Sequence, residues 1–372
     1  MSAPLPAVRM LGTRGVPASH GGFETAAENI AQFLIERGWR VVVYCQVQGA
    51  GRVTEDTWNG IERVLIPIER EGPLGTVRFD LASIRHAIRH HDLCLTFGYN
   101  TAMFNIAQRL HKIPNVINMD GIEWSRERWG PMKRSFLWTN ERVACAIGTH
   151  LIADHPCIRD HLARITSAER ISMIAYGAHA VTSAPAAPVK QLGLEPGRYV
   201  TLICRAIAEN SILELVQAFS AEPRGYRLAI LGRYTPDSDA YHRAVMRAAS
   251  DDVLFLGTVY DPVEVAALRF HGVAYLHGHT VGGTNPSLVE ALAVGNAVIA
   301  HDNDYNRWVA QDGALYFRTS DDAAACLDEI LGHPARREQL AAASRARHAE
   351  AFTWEGVAVQ YEELLTRFLP RR

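Results

Sequence analysis

Short apolar runs alternate with helix-periodic stretches along most of the chain, and this alternation restricts the fold more than any other feature. The runs "AVRML" (7–11), "RVVVYC" (40–45), "RVLIPI" (63–68), "DLCLTFG" (92–98), "NVINMD" (115–120), "AIGTHLIAD" (146–154) and "ISMIAYG" (171–177) are apolar for most of their length rather than alternating with polar residues. Strands of that kind are buried on both faces, as in parallel sheets covered by helices. Between the first two runs, Phe23, Ala26, Ala27, Ile30, Phe33 and Leu34 recur at helical spacing and Gly38 supplies the stop, which makes a βαβ unit.

A stretch rich in Ala, Pro and Gly follows residue 178, as an interdomain connection would be. A second series then begins: "RYVTLIC" (198–204), "RLAILG" (227–232), "VLFLG" (253–257), "VAYLHG" (273–278), "AVIAHD" (297–302) and "ALYF" (314–317), with helical patterns between them. At 372 residues and 48% hydrophobic, the chain is too long for one ordinary core. The expected architecture is therefore α/β, with two domains that each carry a parallel sheet.

Composition removes several functions. The net charge of -2, from 38 basic and 40 acidic residues, gives no basic field for nucleic acid. Cys45, Cys94, Cys145, Cys157, Cys204 and Cys326 are widely spaced without a C-x-x-C pair, which predicts reduced, mostly core thiols in a cytoplasmic protein. The start "MSAPLPAVRML" has no signal-peptide core, and no run of 18 apolar residues predicts a membrane span.

Ligands bind such sheets beyond the carboxyl ends of the strands, where two Gly-rich loops fall. In "GTRGVPASHGGFE", Gly12 ends a strand and Gly21-Gly22 open a helix whose free N–H groups would suit a phosphate. The spacing fits neither G-x-G-x-x-G nor a P-loop, and glycines that only make tight turns are the other reading. In "GGTNPSLVE", Asn285 suits the N-cap and Pro286 the first helical position, which puts Glu290 one turn on along the same face. A carboxylate there would accept hydrogen bonds from a ribose beside an anion at the helix start, or would only balance the helix dipole. Arg205, ending its strand, would face the same anion or form a surface salt bridge.

These residues carry a resemblance. Across nearly its whole length the chain resembles a retaining GT-B glycosyltransferase of family 4, and within it the bacterial rhamnosyltransferase-like subgroup with an amino-terminal domain of the DUF1972 type. The similarity rests on "LGTRGVPASHGGFET", "LTFGYNTAMF" and "NMDGIEWSRERWG", then on "CRAIAENSILELVQAF", "ILGRY", "FLGTV" and "HGHTVGGTNPSLVEALAVGNAVIA". It implies two Rossmann-like domains facing a cleft, 1–178 on the acceptor side and 179–352 for the nucleotide sugar, with a terminal helix in 353–372 crossing back. A nucleotide diphosphate sugar would bind between them. Its diphosphate would meet Arg205 and the backbone of Gly283, Thr284, Asn285, Ser287 and Leu288, with Gly21 and Gly22 approaching from the other domain. Glu290 matches the second glutamate of the E-x7-E motif and would take the ribose. The first glutamate is Gly282 here, the usual lysine is Asn210, and the usual His-Gly is Asp120-Gly121, as is typical of the subgroup.

The implied chemistry needs few protein groups. Amides and Arg205 would stabilise the leaving phosphate, which itself takes the acceptor proton, so neither metal nor other cofactor is implied. Asp120 would orient the acceptor or steady the transition state, unless it is a loop aspartate bonding its own backbone. Tyr99, Asn100, Glu123, Trp124, Arg126 and Arg128 are assigned to the acceptor or membrane side. There Trp124, Trp129 and Trp138 interleave with Arg126, Arg128, Lys133 and Arg134, which suits an anionic membrane or a lipid pyrophosphate, or else a solvated amphipathic helix. The expected partners are a nucleotide diphosphate sugar, a lipid-linked glycan and the inner face of the plasma membrane. His86 and His90 read as surface residues, and His277 and His279 as structural ones. An epimerase and a non-catalytic nucleotide-sugar binder are the competing readings.

Overall fold

The computed structural model of the chain describes residues 5–19, 21–259 and 261–370, so the first four residues of the amino-terminal stretch lie outside it. The chain forms two compact units, Met1–Tyr176 joined by Trp354–Arg372, and Gly177–Thr353.

The strands of the first unit are β1 (Ala7–Leu11), β2 (Arg40–Gln48), β3 (Thr54–Trp58), β4 (Ile61–Ile68), β5 (Leu93–Phe97), β6 (Asn115–Asn118), β7 (His150–Ala153) and β8 (Ile171–Met173). Its helices α1 (Gly22–Glu36), α2 (Pro73–Ala87), α3 (Ile106–Leu110), α4 (Pro131–Ile147) and α5 (Pro156–Leu162) supply the crossovers that parallel strands require. One sheet runs β3-β4-β2-β1-β5-β6-β7-β8. Its inner strands β1, β5, β6 and β7 are buried at every position, as their apolar runs predict. Arg9 is the exception in type rather than in burial. It is 2% exposed in β1, and its guanidinium donates to Asp92 at 2.9 Å and to the Tyr44 hydroxyl at 3.3 Å, the pairing a buried charge needs.

Two departures from the expected sheet have plain causes. β3 pairs antiparallel with β4, because Asn59 and Gly60 hold φ of 45° and 81° and so close a two-residue hairpin. The run 146–154 is helix to Ile147, since Ala144 and Cys145 continue the buried face of α4, and strand only from His150.

The second unit has a six-stranded sheet in the order β11-β10-β9-β12-β13-β14, all parallel. Its strands are β9 (Tyr199–Ile203), β10 (Arg227–Leu231), β11 (Val253–Gly257), β12 (Ala274–His277), β13 (Ala297–His301) and β14 (Ala314–Phe317). The helices are α6 (Ala187–Gln191), α7 (Ile212–Ser220), α8 (Ala240–Ala248), α9 (Pro262–His271), α10 (Pro286–Val294), α11 (Asp304–Ala310), α12 (Ser320–Gly332) and α13 (Pro334–Ala351). The stretch after 178, expected to be a bare connection, is packed from α6 onward: Val189 and Leu194 are buried against Tyr199, Leu231 and Leu268.

The last helix, α14 (Trp354–Thr366), returns to the first unit. Trp354, Val357, Tyr361, Leu364 and Leu365 enter the same core as Val8, Ile30 and Leu95, and the Asn118 amide donates to the Tyr361 hydroxyl at 2.8 Å. Removing the buried Leu365 side chain (Leu365→Ala) should cost about 2–5 kcal/mol. Deleting the hydroxyl in Tyr361→Phe should cost about 1–3 kcal/mol, because it leaves the Asn118 amide unpaired. Both should lower the urea midpoint at unchanged slope; unmoved midpoints would remove α14 from the cooperative core.

Candidate functional site

Both sheets are wound outward from their first strand, which leaves a gap in the helix cover where the order reverses. In the second unit that switch point lies between β9 and β12, and in the first between β1 and β5. Ligands of open α/β sheets bind in such crevices. At the second switch point the loops after β9 and β12 are tied together. Both the backbone N–H and the hydroxyl of Thr280 donate to the Glu209 carbonyl, at 2.9 and 3.0 Å. Gly278 passes so close that a Cβ on it would lie 2.0 Å from the Asn210 carbonyl oxygen, so only glycine fits.

The loop after β9 displays Arg205, which is exposed. Asn210, at the position where lysine is usual, is 3% exposed, and its amide donates to the Arg205 carbonyl at 2.7 Å. This residue fixes the shape of the loop that carries the arginine. Gly282 is at the opposite extreme, since a Cβ there would meet nothing within 4 Å.

The helix start of α10 is built as its sequence predicts. Asn285 caps it, its side chain accepting from Ser287 N–H at 3.0 Å, and Pro286 takes the first position. Leu288 is fully buried and its N–H already bonds the Asn285 carbonyl at 3.1 Å. The amides of Ser287 and Leu288 are thus engaged by the cap, and a phosphate could reach them only by displacing it. An anion contact that leaves the cap intact is confined to the turn before the helix, in which Thr284 is buried.

Glu290 stands one turn on and is 37% exposed, but it is not a bare carboxylate. The Arg269 guanidinium of α9, only 5% exposed, pairs with Glu290 Oε2 at 2.6 Å and reaches the Ser287 hydroxyl at 3.5 Å. Sequence reading missed Arg269, although a lone cation next to the buried Ala267 and Leu268 is a signal. His277 ends β12 with no exposure and stacks on His279 at 4.3 Å, and burial holds it well below the ordinary imidazole range.

In the first unit, Gly21 is the N-cap of α1 at a φ of 102° and Gly22 opens the helix. This helix start carries its own acid: a Cβ on Gly21 would lie 2.2 Å from Glu24 Oε2, while Glu24 Oε1 accepts from Arg14 N–H at 2.9 Å. A phosphate at Gly21 and Gly22 would meet that carboxylate. Asp120 follows β6 at a φ of 55°, a region non-glycine residues rarely occupy. Its N–H is held by the Asn118 side chain at 3.1 Å, so the side-chain turn here belongs to Asn118.

The residues assigned to the acceptor or membrane side divide into two groups. Tyr99 is 1% exposed and its hydroxyl clamps the loop, donating to the Gly121 carbonyl at 3.2 Å and accepting from Glu123 N–H at 2.9 Å. Glu123, 8% exposed, pairs with Arg126 at 2.5 Å and Arg128 at 3.1 Å. These groups shape the Asp120 loop from within. Asn100 is exposed. On α4, Met132, Phe136 and Trp138 are exposed; Lys133 and Arg128 lie over the Trp129 ring, and Arg142 over those of Trp124 and Trp138. Among the described residues no helix is long and apolar enough to cross a membrane. His86, read as a surface residue, is instead half-buried, with Nδ1 at 3.0 Å from the Tyr44 hydroxyl.

Comparison with known proteins bears on the family and the fold. Residues 6–179 match a family model described as a domain of unknown function (DUF1972), and residues 205–363 match one described as glycosyl transferase-like. The chain is 24% identical over 297 residues, 70% of its length and 75% of the relative's, to an alpha-maltose-1-phosphate synthase of Mycobacterium tuberculosis. Its fold is similar to that of a sucrose-phosphate synthase from Thermosynechococcus elongatus, with a TM-score of 0.80 at 17% identity over 97% of this chain and 98% of that one. It is also similar to Anabaena HepE in complex with UDP-glucose, with a TM-score of 0.76 at 17% identity over 98% of this chain and 100% of that one. The glycosyl transferase-like second unit and a two-unit α/β fold, mixed in the sheet of the first unit and parallel in that of the second, make the chain a glycosyltransferase enzyme with the GT-B fold.

Proposed function

We propose that the enzyme moves a sugar, with retention at the anomeric carbon, from a nucleotide diphosphate to a lipid-linked or growing surface glycan, the favoured donor being dTDP-L-rhamnose. The observation that carries the donor reading is the pair of hydrogen-bonded loops after β9 and β12. On them and the helix they lead into stand Arg205, a capped helix start and a carboxylate held by a buried arginine. Anabaena HepE, of the same fold, is known in complex with UDP-glucose, which supports the donor class. Rhamnose and retention rest on the sequence resemblance, and the acceptor on the exposed aromatic and basic surface of α4.

Cleavage between the anomeric carbon and the diphosphate oxygen leaves negative charge on that oxygen. Arg205 and the amides of 283–285 would stabilise it, and losing one such donor costs about two to three orders of magnitude in rate. The departing oxygen takes the proton of the incoming hydroxyl on the same face of the sugar, so no covalent nucleophile is needed. Glu290 accepts from the ribose through Oε1 while Arg269 keeps Oε2. Asp120 orients the acceptor hydroxyl or steadies the developing positive charge.

Thermal shifts with a panel of sugar nucleotides test the donor, since a ligand at 100 times its Kd adds about 2.7 kcal/mol. Interconversion of the donor sugar without acceptor would point to an epimerase, and binding with no turnover on any acceptor to a non-catalytic binder. Arg205→Ala should weaken nucleotide diphosphates but leave the nucleoside alone. Glu290→Gln, which keeps a hydrogen bond to Arg269, should weaken nucleoside and nucleotide equally, by about 1–2 kcal/mol. Wild-type titration curves for both variants would reduce α10 to a capped helix.

Asp120→Asn should depress kcat by two orders of magnitude or more at near-normal donor affinity, as expected when a group acts only in the transition state. Near-wild-type turnover would leave Asp120 a loop residue. For the membrane contact, replacing Met132 and Phe136 by Ser and Lys133 and Arg134 by Gln should abolish salt-sensitive binding to vesicles containing anionic lipid while donor affinity holds. Equal vesicle binding by the variant would exclude α4 as the docking surface.

A further inference from the structure

The first switch point, between β1 and β5, holds a cavity of about 210 Å³ whose lining comes wholly from the first unit. One water needs only about 10–15 Å³ by the same measure, so a small molecule fits. Its position follows from the strand ends. Gly12, at a φ of 81°, lets the loop after β1 press on β5, for a Cβ there would lie 2.1 Å from the Phe97 carbonyl oxygen. The two loops then part around the opening.

The lining has a definite chemistry. Phe23 and Phe79 give it apolar walls, and Asp80, Thr76, Asn100 and Thr101 bring acceptors and donors. Asp80 Oδ2 accepts from the Thr101 hydroxyl at 2.7 Å. Desolvation pushes the Asp80 carboxyl up to about 6, and only that hydroxyl opposes the shift, so no cation compensates this acid. The second carboxylate is Glu24, already bonded to the Arg14 backbone. Among the described residues Arg14 supplies the cavity's single cationic side chain, and it is exposed. The floor is fixed by buried amides: Asn105 donates to Thr96 at 3.3 Å and to Gln108 at 2.8 Å, and Thr96 donates to Asn115 at 2.8 Å. Together these bonds tie the floor to β5 and β6, although the Gln108 Nε2 within them is buried without a partner.

A phosphate or a uronate would bring negative charge against two carboxylates, one of them desolvated and unpaired with any cation. A neutral ring with several hydroxyls suits the same groups, because each hydroxyl can donate to a carboxylate or amide oxygen and the ring faces can pack on Phe23 and Phe79. We propose that this cavity is a subsite for an uncharged sugar of the acceptor, bound by Asp80, Thr101 and Asn100, and that its two carboxylates exclude acidic and phosphorylated sugars. That the sugar belongs to the acceptor rests on the transferase reading above; that the cavity binds a neutral sugar does not.

Saturation-transfer NMR titrations of the full chain would use four probes: methyl glycosides of a neutral hexose and a 6-deoxyhexose, methyl glucuronide, and a hexose 6-phosphate. The neutral glycosides should bind and the two anionic probes should bind at least tenfold more weakly. Asp80→Asn removes the charge at constant shape, so it should lose about tenfold in affinity for the neutral glycosides and narrow the gap to methyl glucuronide. Asn100→Ala, at an exposed position, should also lose neutral-sugar affinity. Anionic probes that bind as well as neutral ones, or variants that match the wild type, would overturn the proposal. Nucleotide diphosphates titrated in parallel separate the two readings. Nucleotide binding without any glycoside binding ends the subsite alone. Glycoside binding sensitive to Asp80 without nucleotide binding ends the donor reading and keeps the subsite.

Discussion

Each unit depends on a close backbone approach at the point where its sheet reverses direction. The loop after β1 meets the Phe97 carbonyl at Gly12, and the strand end of β12 meets the Asn210 carbonyl at Gly278. A methyl group at either place would overlap an oxygen, so the loops could not close on the neighbouring strand. Everything chemically useful is carried by what those approaches bring together. Around the second lie Arg205, the α10 helix start and Glu290; around the first lies the cavity with Asp80 and Asn100. The rest of each sheet is the scaffold that makes these loops rigid.

The strands were legible because burial on both faces leaves a mark every residue shares. β5 and β7 are apolar for most of their length and are buried at every position. β3 carried no such mark, since "TEDTW" is an exposed edge, and its one signal was the Asn59-Gly60 turn. The helix start at 285–286 was legible for another reason: capping is a local interaction, so Asn285 and Pro286 announce it within two residues.

Long-range pairing was not legible. Nothing near Glu290 in sequence says that Arg269 holds it, nor does anything near Tyr99 say that its hydroxyl will clamp Gly121 and Glu123. Such polar groups look exposed and functional in a sequence because polar residues usually are. Folding buries them where a loop needs a fixed shape, and the cost of desolvation is offset only by the partner the fold supplies. Asn210 is the same case seen at a motif position. Its departure from lysine reads as the loss of a ligand, yet its amide stabilises the very loop that displays Arg205.

Charge distinguishes the two helix starts. α10 is capped by the neutral Asn285 and has no acid in its first turn, and the nearest carboxylate, Glu290, sits one turn away with a buried arginine on it. Its dipole is left to attract an anion. α1 has Glu24 in its first turn, folded back over Gly21, so its dipole is already balanced, and the adjoining cavity adds the uncompensated Asp80. Two structurally similar switch points therefore carry opposite electrostatic preferences. In the transferase proposed above, that division would keep the donor diphosphate from a second anion-seeking site. The acids of the first unit, unremarkable as isolated residues, supply it.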